Sequence, residues 1–442
     1  MKRFLLIAGA ALAALAPPGA KAQTLEEALA AAYKSNPTIA AERARQRATK
    51  ELTPPAVARA LPQITGGASY VKTDGSQTLN ASIFDPMATG ATKRDFSLAT
   101  TTFQVSGEQP IFTGFRNFNA IRAARARVKA GAAELALVEQ DVLTRAAGAY
   151  FDVVRDLAVF KANANNVEVL TRQKREADLR FEVGEVTKTD VAQAEARLAQ
   201  ARANLTTAQA RLAVSRASFV EIIGLAPETL EPDPVLPAAP ESLEQSLAIS
   251  REGAPSIIRA RMAERAQKRN LQVAKGQFSP TVSLTASYQF ADEPSLFALE
   301  DEQFAYGARA SVPIFLGGLN ISRVREAKAL HEQSRRQVEE AERRADAAVT
   351  GAWEQLQAAR ANIQSAAAQV AASELALNGV RREAQLGVRT TLDVLDAEQE
   401  FLNAQVSRAN AERDARLATF QLLAAMGVLG PDVDDGALAP AP

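Results

Sequence analysis

The chain carries one pattern twice. Residues 25–62 match 243–280 at a constant offset of 218, pairing Leu25 with Leu243, Leu29 with Leu247, Asn36-Pro37 with Ala254-Pro255 and Leu61-Pro62 with Ser279-Pro280. Further along, the offset is 203. Pro110-Ile111-Phe112 then falls on Pro313-Ile314-Phe315, Gly184 on Gly387, Asp190-Val191 on Asp393-Val394, and Gly224 on Gly427. The two offsets place a surplus of 15 residues at one location, between Pro62 and Pro110. Each half is one copy of a single supersecondary unit, and the surplus is expected in a loop. The organisation that follows is a first repeat at 23–230, a Pro-rich linker at 231–242, a second repeat at 243–430 and a disordered tail at 431–442.

Around the surplus the pattern changes period. Val282, Leu284, Ala286, Tyr288 and Phe290 alternate with Thr281, Ser283, Thr285, Ser287 and Gln289. Phe304, Tyr306, Ala308, Ala310 and Val312 alternate in the same way with Ala305, Gly307, Arg309 and Ser311. Period two over about ten residues suits a tilted transmembrane strand with one lipid face and one lumen face, and equally a soluble hairpin with one buried face. Strands are expected at about 63–72 and 96–107, and at about 281–290 and 304–312. The first copy is less regular, and the polar, glycine-containing stretch between its strands reads as a long exposed loop.

The rest reads as helix. Val191, Leu198, Leu205, Leu212 and Phe219 recur every seven residues, with Ala194, Ala201 and Ala208 three further on, which is a heptad seam. Val128, Leu135, Val142 and Ala149 form one series upstream, and Ala146, Val153, Phe160 and Val167 another. Helices are expected at about 118–181, 189–223, 321–385 and 391–426, the long ones about 95 Å in length. A helix of about 24 residues after Pro37 and one of about 34 after Thr189 could stack end to end along each long helix. Gly184 and Gly387 fall where the long helices fold back, as C-terminal caps. Pro37 and Pro255 fall at helix starts, where a missing N–H costs nothing. Two strands per half cannot close a barrel by themselves, and open strand edges are not tolerated in hydrocarbon, so several chains must share one.

Composition narrows the function classes. Lys2 and Arg3, an apolar run to Ala16 and Ala20-Lys21-Ala22 read as a secretory signal over residues 1–22, too short to span a bilayer. Without it the net charge is about −3, a balance that argues against nucleic acid as a partner. The absence of cysteine excludes thiol catalysis, cysteine zinc sites and disulfides. The single histidine, His331, is expected on a solvated helix face, and a serine triad would have to recruit this exposed residue. No metal or other cofactor is implied. Aromatics make up 5% of the chain. A wide globular core is thus disfavoured against closely packed, alanine-rich helices.

These features together resemble the TolC-type outer-membrane factors, the exit ducts of efflux pumps and type I secretion systems. The resemblance spans residues 24 to about 432 and rests on "TLEEALAAAYKSNPTIAAERA", "QPIFTGF", "VPIFLGG", "FEVGEVTKTDVAQAEARL" and "LGVRTTLDVLDAEQEFLNAQ". The first of these is most similar to the type I secretion branch. The resemblance implies a mostly α fold with a transmembrane β-barrel contribution. Four strands per chain would build a 12-stranded barrel in a homotrimer, continued by a coiled-coil tunnel into the periplasm. It also implies outer-membrane lipid as surroundings, and as partners a periplasmic adaptor (membrane fusion) protein and an inner-membrane transporter, ABC or other efflux pump. No catalysis is implied. The alternative is a structural periplasmic coiled coil, such as an adaptor or adhesin stalk, without a pore.

The resemblance further implies an iris-like closure at the periplasmic tip. Asp393 and Asp396 match its constriction aspartates. Arg389 matches a basic gate-link residue whose partner positions hold Thr189 and Asp190, while Ala384 stands where the family often has a linking tyrosine. From the residues alone Asp393 and Asp396, about one helical turn apart, share a face. They could be an acid pair, a helix-start charge, or, in a trimer, a ring of carboxylates that attracts cations. Asp190 is the repeat twin of Asp393, whereas Asp396 aligns with Gln193 and is particular to the second half. Runs such as "RREAQ" and "EEAERRADA" read as solvated faces, and Tyr150 and Trp353 as packing or interfacial residues.

Overall fold

The computed structural model describes residues 23–80, 89–295 and 298–430; the expected signal at 1–22 and tail at 431–442 lie outside the described residues. In chain order the elements are α1 Leu25–Ser35, α2 Pro37–Lys50, α3 Thr53–Ala58, β1 Gln63–Asn80, β2 Ala91–Phe112, α4 Arg116–Glu182 and α5 Lys188–Ile223. The second half follows with α6 Leu243–Gly253, α7 Pro255–Lys275, β3 Thr281–Ser295, β4 Ala298–Ser311, α8 Leu319–Gln385 and α9 Thr391–Met426. Among the described residues no helix is long and apolar enough to cross a membrane. The duplication is visible in the pairs α4/α8, at 67 residues each, and α5/α9, at 36 each.

The helix after Pro37 stops at Lys50, short of the expected 24 residues, and restarts as α3. Pro54 and Pro55 explain the break, since neither can donate the backbone bond that a continuous helix needs. The second repeat, without that proline pair, runs unbroken from Pro255 to Lys275.

The chain forms two compact units. One comprises residues 44–134 and 256–341 and contains a four-stranded antiparallel sheet in the order β1-β2-β3-β4. Register sorts the side chains into two faces, because directly paired residues share a face. Gly66, Val105, Tyr288 and Phe304 align, as do Ile64, Gly107, Ala286 and Tyr306, and Ala68, Phe103 and Phe290 with Glu302, whose carboxylate accepts from the Tyr288 hydroxyl at 2.9 Å. Thr65, Ser106, Ser287 and Ala305, with Gly67, Gln104, Gln289 and Gln303, occupy the other face. The irregular first copy therefore obeys the same rule as the second. Its apolar members are small or widely spaced, which hides the alternation. The apolar band is exposed, with Ile64 at 75% and Tyr306 at 82%, and it gives way to charge where Asp292 meets Thr101 and Glu300.

The stretch expected as a loop after residue 72 is largely strand, with β1 and β2 paired from Thr73↔Leu98 out to Asn80↔Ala91. Backbone pairing between the two arms does not need an apolar face, so the polar sequence concealed it. A register shift at Pro110/Phe112 interrupts the β2–β3 ladder before its last pair, Phe112↔Val282, as expected for a residue without an N–H.

The segment after each hairpin's second strand grips the turn that precedes its own first strand. Asn117 donates to the Arg59 carbonyl at 2.8 Å, and its repeat twin Asn320 donates to the Gln277 carbonyl at 3.2 Å. In the first repeat the same segment is also wedged against the second repeat's turn. A Cβ on Gly114, whose φ is +61°, would lie 2.7 Å from the Gly276 carbonyl and 2.4 Å from Ser279 Cβ. The twin glycine, Gly317, has φ +59° and nothing within 4 Å. Beside it Ile314 is 94% and Phe315 84% exposed. His331, expected to be solvated, lies in this unit with Nε2 2.6 Å from Glu264 Oε1.

The other unit comprises residues 23–43, 135–255 and 342–430. Its heptad seam is buried at Ala194, Leu198, Ala201, Ala208, Leu212 and Phe219. The few aromatics concentrate in one layer, where Tyr150, Phe151, Phe219 and Phe420 are fully buried and in mutual ring contact. The Tyr150 hydroxyl is shared between the carbonyls of Gln23 (2.9 Å) and Glu231 (3.0 Å). The Pro-rich linker is anchored rather than loose: Arg416 donates to the Pro232 carbonyl and pairs with Asp233. Trp353 packs against a second cluster built on Val349, Leu356, Leu422 and Met426.

Candidate functional site

Two helical hairpins of this second unit, α4–α5 and α8–α9, turn back through matching short turns. Gly184 (φ +81°) and Gly387 (φ +76°) take the left-handed conformation that ends each long helix. The Glu185 N–H donates to the Arg180 carbonyl at 2.8 Å, and the Val388 N–H to that of Glu383 at 2.9 Å, which satisfies carbonyls left over at the helix ends. The return helices start with capping boxes: Thr187 with Asp190 and Thr390 with Asp393, each threonine side chain accepting from the aspartate N–H and each carboxylate accepting from the threonine N–H. The Thr390 backbone N–H, then its hydroxyl, hold the Asp393 carboxyl below the usual carboxylate range, and Thr187 does the same for Asp190. The adjacent Thr189 is the second residue of α5.

Arg389 pairs within its own hairpin, donating from Nε to Glu383 Oε2 at 2.9 Å, which raises its already high pKa. Inside a single chain it is therefore not brought to Thr189 or Asp190. Asp396 is half-exposed and accepts from Arg197 of α5 at 2.6 Å. The two candidate constriction aspartates are thus in different electrostatic states, one a helix cap and the other an ion pair.

Glu398, which sequence reasoning passed over, joins three helices. It is only 5% exposed. Its Oε1 accepts from Arg381 Nε of α8 at 2.9 Å, from Arg381 Nη2, and from Gln173 Nε2 of α4 at 3.0 Å. Leu395 packs beside it with Leu170, Ala177, Ala194 and Leu198 of the other hairpin. A signal was present, because Leu395, Glu398 and Leu402 follow the i, i+3, i+7 spacing of a buried stripe. Arg381 belongs to "RREAQ", so that run is not merely a solvated face. Among the described residues no three His, Cys, Asp or Glu side chains converge as a metal site.

A family model described as outer membrane efflux protein matches residues 28–225 and 247–428, the two repeats. The chain is 32% identical over 414 residues to outer membrane efflux protein BepC of Brucella suis biovar 1, covering 93% of this chain and 87% of that protein. It is 25% identical over 435 residues to outer membrane protein TolC of Escherichia coli K12, covering 92% and 83%. Among solved structures, the outer membrane protein VceC of Vibrio cholerae superposes with a TM-score of 0.78 at 22% identity, covering 91% of this chain and 96% of that one, a likeness of fold.

Proposed function

The chain belongs to the outer membrane efflux protein family, and from that premise we propose how its parts serve as a duct. It is an outer-membrane exit duct for efflux or type I secretion. The observation that carries the finer reading is the sheet, with one mainly apolar face, one polar face and two edge strands, β1 and β4. Unpaired edges are not tolerated in hydrocarbon, and four strands are too few to close. Three copies supply twelve strands, with β4 of one beside β1 of the next, lipid against the Tyr306 face and a water-filled lumen against the Gln303 face.

The repeat relation supports the same ring. Within one chain the Gly114 segment of the first repeat is seated on the 276–279 turn of the second. The equivalent wedge is missing on the other side: a Cβ on Gly317 would meet nothing within 4 Å, and Leu61 of the turn at 58–61 is 53% exposed. One copy's Gly317 segment has the next copy's 58–61 turn as its counterpart, and the pattern closes on itself. The contact is not identical, because Ala58 stands in place of Gly276 and its methyl requires a wider approach.

At the helical tip, three copies of Asp393 and Asp396 form the constriction, and Arg389 of one copy links to Thr189 and Asp190 of its neighbour when the duct is closed. Gly184 and Gly387 set the turns that carry these residues. A periplasmic adaptor and an inner-membrane transporter recruit the duct and open it. The exposed apolar face of the sheet speaks against a pore-less coiled-coil stalk, which has no use for it. The test is recovery from the outer-membrane fraction as a cross-linkable trimer that forms ion channels in planar bilayers. Recovery as a soluble periplasmic monomer would overturn the reading.

A further inference from the structure

The chain passes from β2 into α4 through a strained residue. Phe115 is a non-glycine residue at φ +59°, and its repeat twin is Gly318, at φ +81°. A side chain in the left-handed region is disfavoured, so the ring at 115 is kept against the preference of its backbone. Within the chain that ring is nevertheless 67% exposed. It meets the edge of Phe112, with ring centroids 5.6 Å apart, and Phe112 pairs with Val282 on the apolar face of the sheet. Phe115 therefore extends that face past the last strand pair.

Along α4 the exposed face changes from apolar to basic. Phe118, Arg122, Arg125 and Lys129 recur at the spacing of one helical face, and all four are exposed. The Arg122 guanidinium lies over the Phe118 ring, 4.1 Å from its centroid. Arg116, Arg122, Arg125, Arg127 and Lys129 all precede Glu134, the first acidic residue of the helix. Such a run of one sign stands out in a chain whose basic and acidic residues balance at 51 each. The flanks of α4 are taken by its own chain: Gln46 of α2 donates to the Val128 carbonyl at 3.1 Å, and Arg269 of α7 donates to Asn119 at 3.4 Å. β2 likewise lies between β1 and β3. Copies joined at the edge strands β1 and β4 leave this stripe uncovered.

We propose that this stripe binds anionic phospholipid of the periplasmic leaflet: the rings of Phe115 and Phe118 sit at the boundary between acyl chains and headgroups, and Arg122 and Arg125 meet the lipid phosphates. Height decides which cations take part. Running away from the sheet, α4 drops about 1.5 Å per residue, and its side chains lean back toward its start. The headgroup layer is about 5–7 Å thick. Stacked on Phe118, the Arg122 guanidinium falls inside that layer. Arg125 lies about one turn lower, within the roughly 8 Å over which a charge acts through physiological salt. Lys129 starts about 21 Å below Phe115 and lies beyond both. The inference rests on the apolar face of the sheet meeting lipid. It adds the class of lipid and the residues that select it.

The experiment titrates the full-length trimer in detergent with phosphatidylglycerol or phosphatidylcholine and reads bound lipid by native mass spectrometry. Wild type should bind phosphatidylglycerol more tightly. Arg122→Gln combined with Arg125→Gln should weaken phosphatidylglycerol about thirtyfold, the effect of two cations near an anionic surface. Lys129→Gln should leave it unchanged. Phe115→Gly should weaken both lipids while its unfolding midpoint in detergent stays at the wild-type value, because glycine accepts the left-handed backbone. A ring needed only for packing would lower that midpoint instead and overturn its role in lipid binding. Equal affinity of wild type for the two lipids, an equal loss in Lys129→Gln, or displacement of the lipid by glycerol phosphate would also overturn the proposal. Should wild type fail to insert into phosphatidylcholine vesicles at all, the lipid-facing reading of the sheet falls, whereas insertion without a lipid preference removes only this inference.

Discussion

Arg197 of α5 and Asp396 of α9 are joined by a 2.6 Å charged hydrogen bond across two helices of the same chain. The pair is half-exposed, so its weight lies less in stability than in charge. Of the two carboxylates per chain assigned to the constriction, one already carries its own counter-ion.

Removing that counter-ion should sharpen ion selectivity. Arg197→Gln leaves all six carboxylates of a trimeric ring unpaired. Cation over anion permeability, read as the reversal potential across a KCl gradient, should rise, and divalent block should strengthen. Asp393→Ala combined with Asp396→Ala should lower both. Identical reversal potentials in all three proteins would remove the aspartates from the constriction.

Arg389→Ser should make the resting duct leakier. Its partner inside the chain, Glu383, lies in the same hairpin, so the bond seen here cannot hold two hairpins together. An effect of Arg389 on closure therefore has to come from a link to a neighbouring copy. Resting conductance no higher than wild type would argue that no such link exists.

The capping boxes make the tip acid-sensitive. The Asp393 and Asp190 carboxyls are held below their ordinary values by bonds present only in the folded turn. Their contribution is complete above the ordinary carboxylate pKa and fades as pH falls through the depressed folded value. Amide exchange at the first turns of α5 and α9, corrected for its intrinsic pH dependence, should accelerate in that acid window. Thr390→Val should show the accelerated rate in α9 already at neutral pH.

Tyr150 predicts sensitivity at the other end of the scale. Burial is the main cause that pushes its phenol up to about 12. Folding is favoured by the neutral phenol fully below its unfolded value near 10 and progressively less as pH rises toward 12. Tyr150→Phe should abolish this alkaline loss. At neutral pH it should cost about 1–3 kcal/mol by taking the hydroxyl donor from the Glu231 carbonyl and leaving the Gln23 carbonyl only the Glu231 N–H, measurable by urea unfolding.

Phe315→Glu tests the ring contact. Phe315 is 84% exposed in one chain, so a monomer should tolerate the change and keep its circular dichroism. The cross-linked trimer band should disappear if the segment meets a second copy. A trimer of wild-type stability would move the interface elsewhere.

How much was legible in the sequence depended on whether a feature is local. The capping threonines, the turn glycines and the heptad seam at Leu198 and Leu212 are set by neighbours within a few residues. They could be seen because backbone sterics and helical period act over that distance. The polar arms of β1 and β2 could not, since they are held by pairing between segments whose side chains carry no alternation. Glu398 shows the limit most clearly. It and Glu195 are the same residue at the same repeat position, yet one is buried beneath an arginine and the other is exposed.

The sequence by itself determined the duplicated architecture, the switch from period two to period seven, and the family to which the chain belongs. These follow from periodicity and repetition along one dimension. Only the tertiary structure decided which carboxylates are neutralised and by what. Arg197 reaches Asp396 from 199 residues away, and Gln173 reaches Glu398 from 225. The charge state of the tip depends on distances between helices that spacing along the chain does not encode.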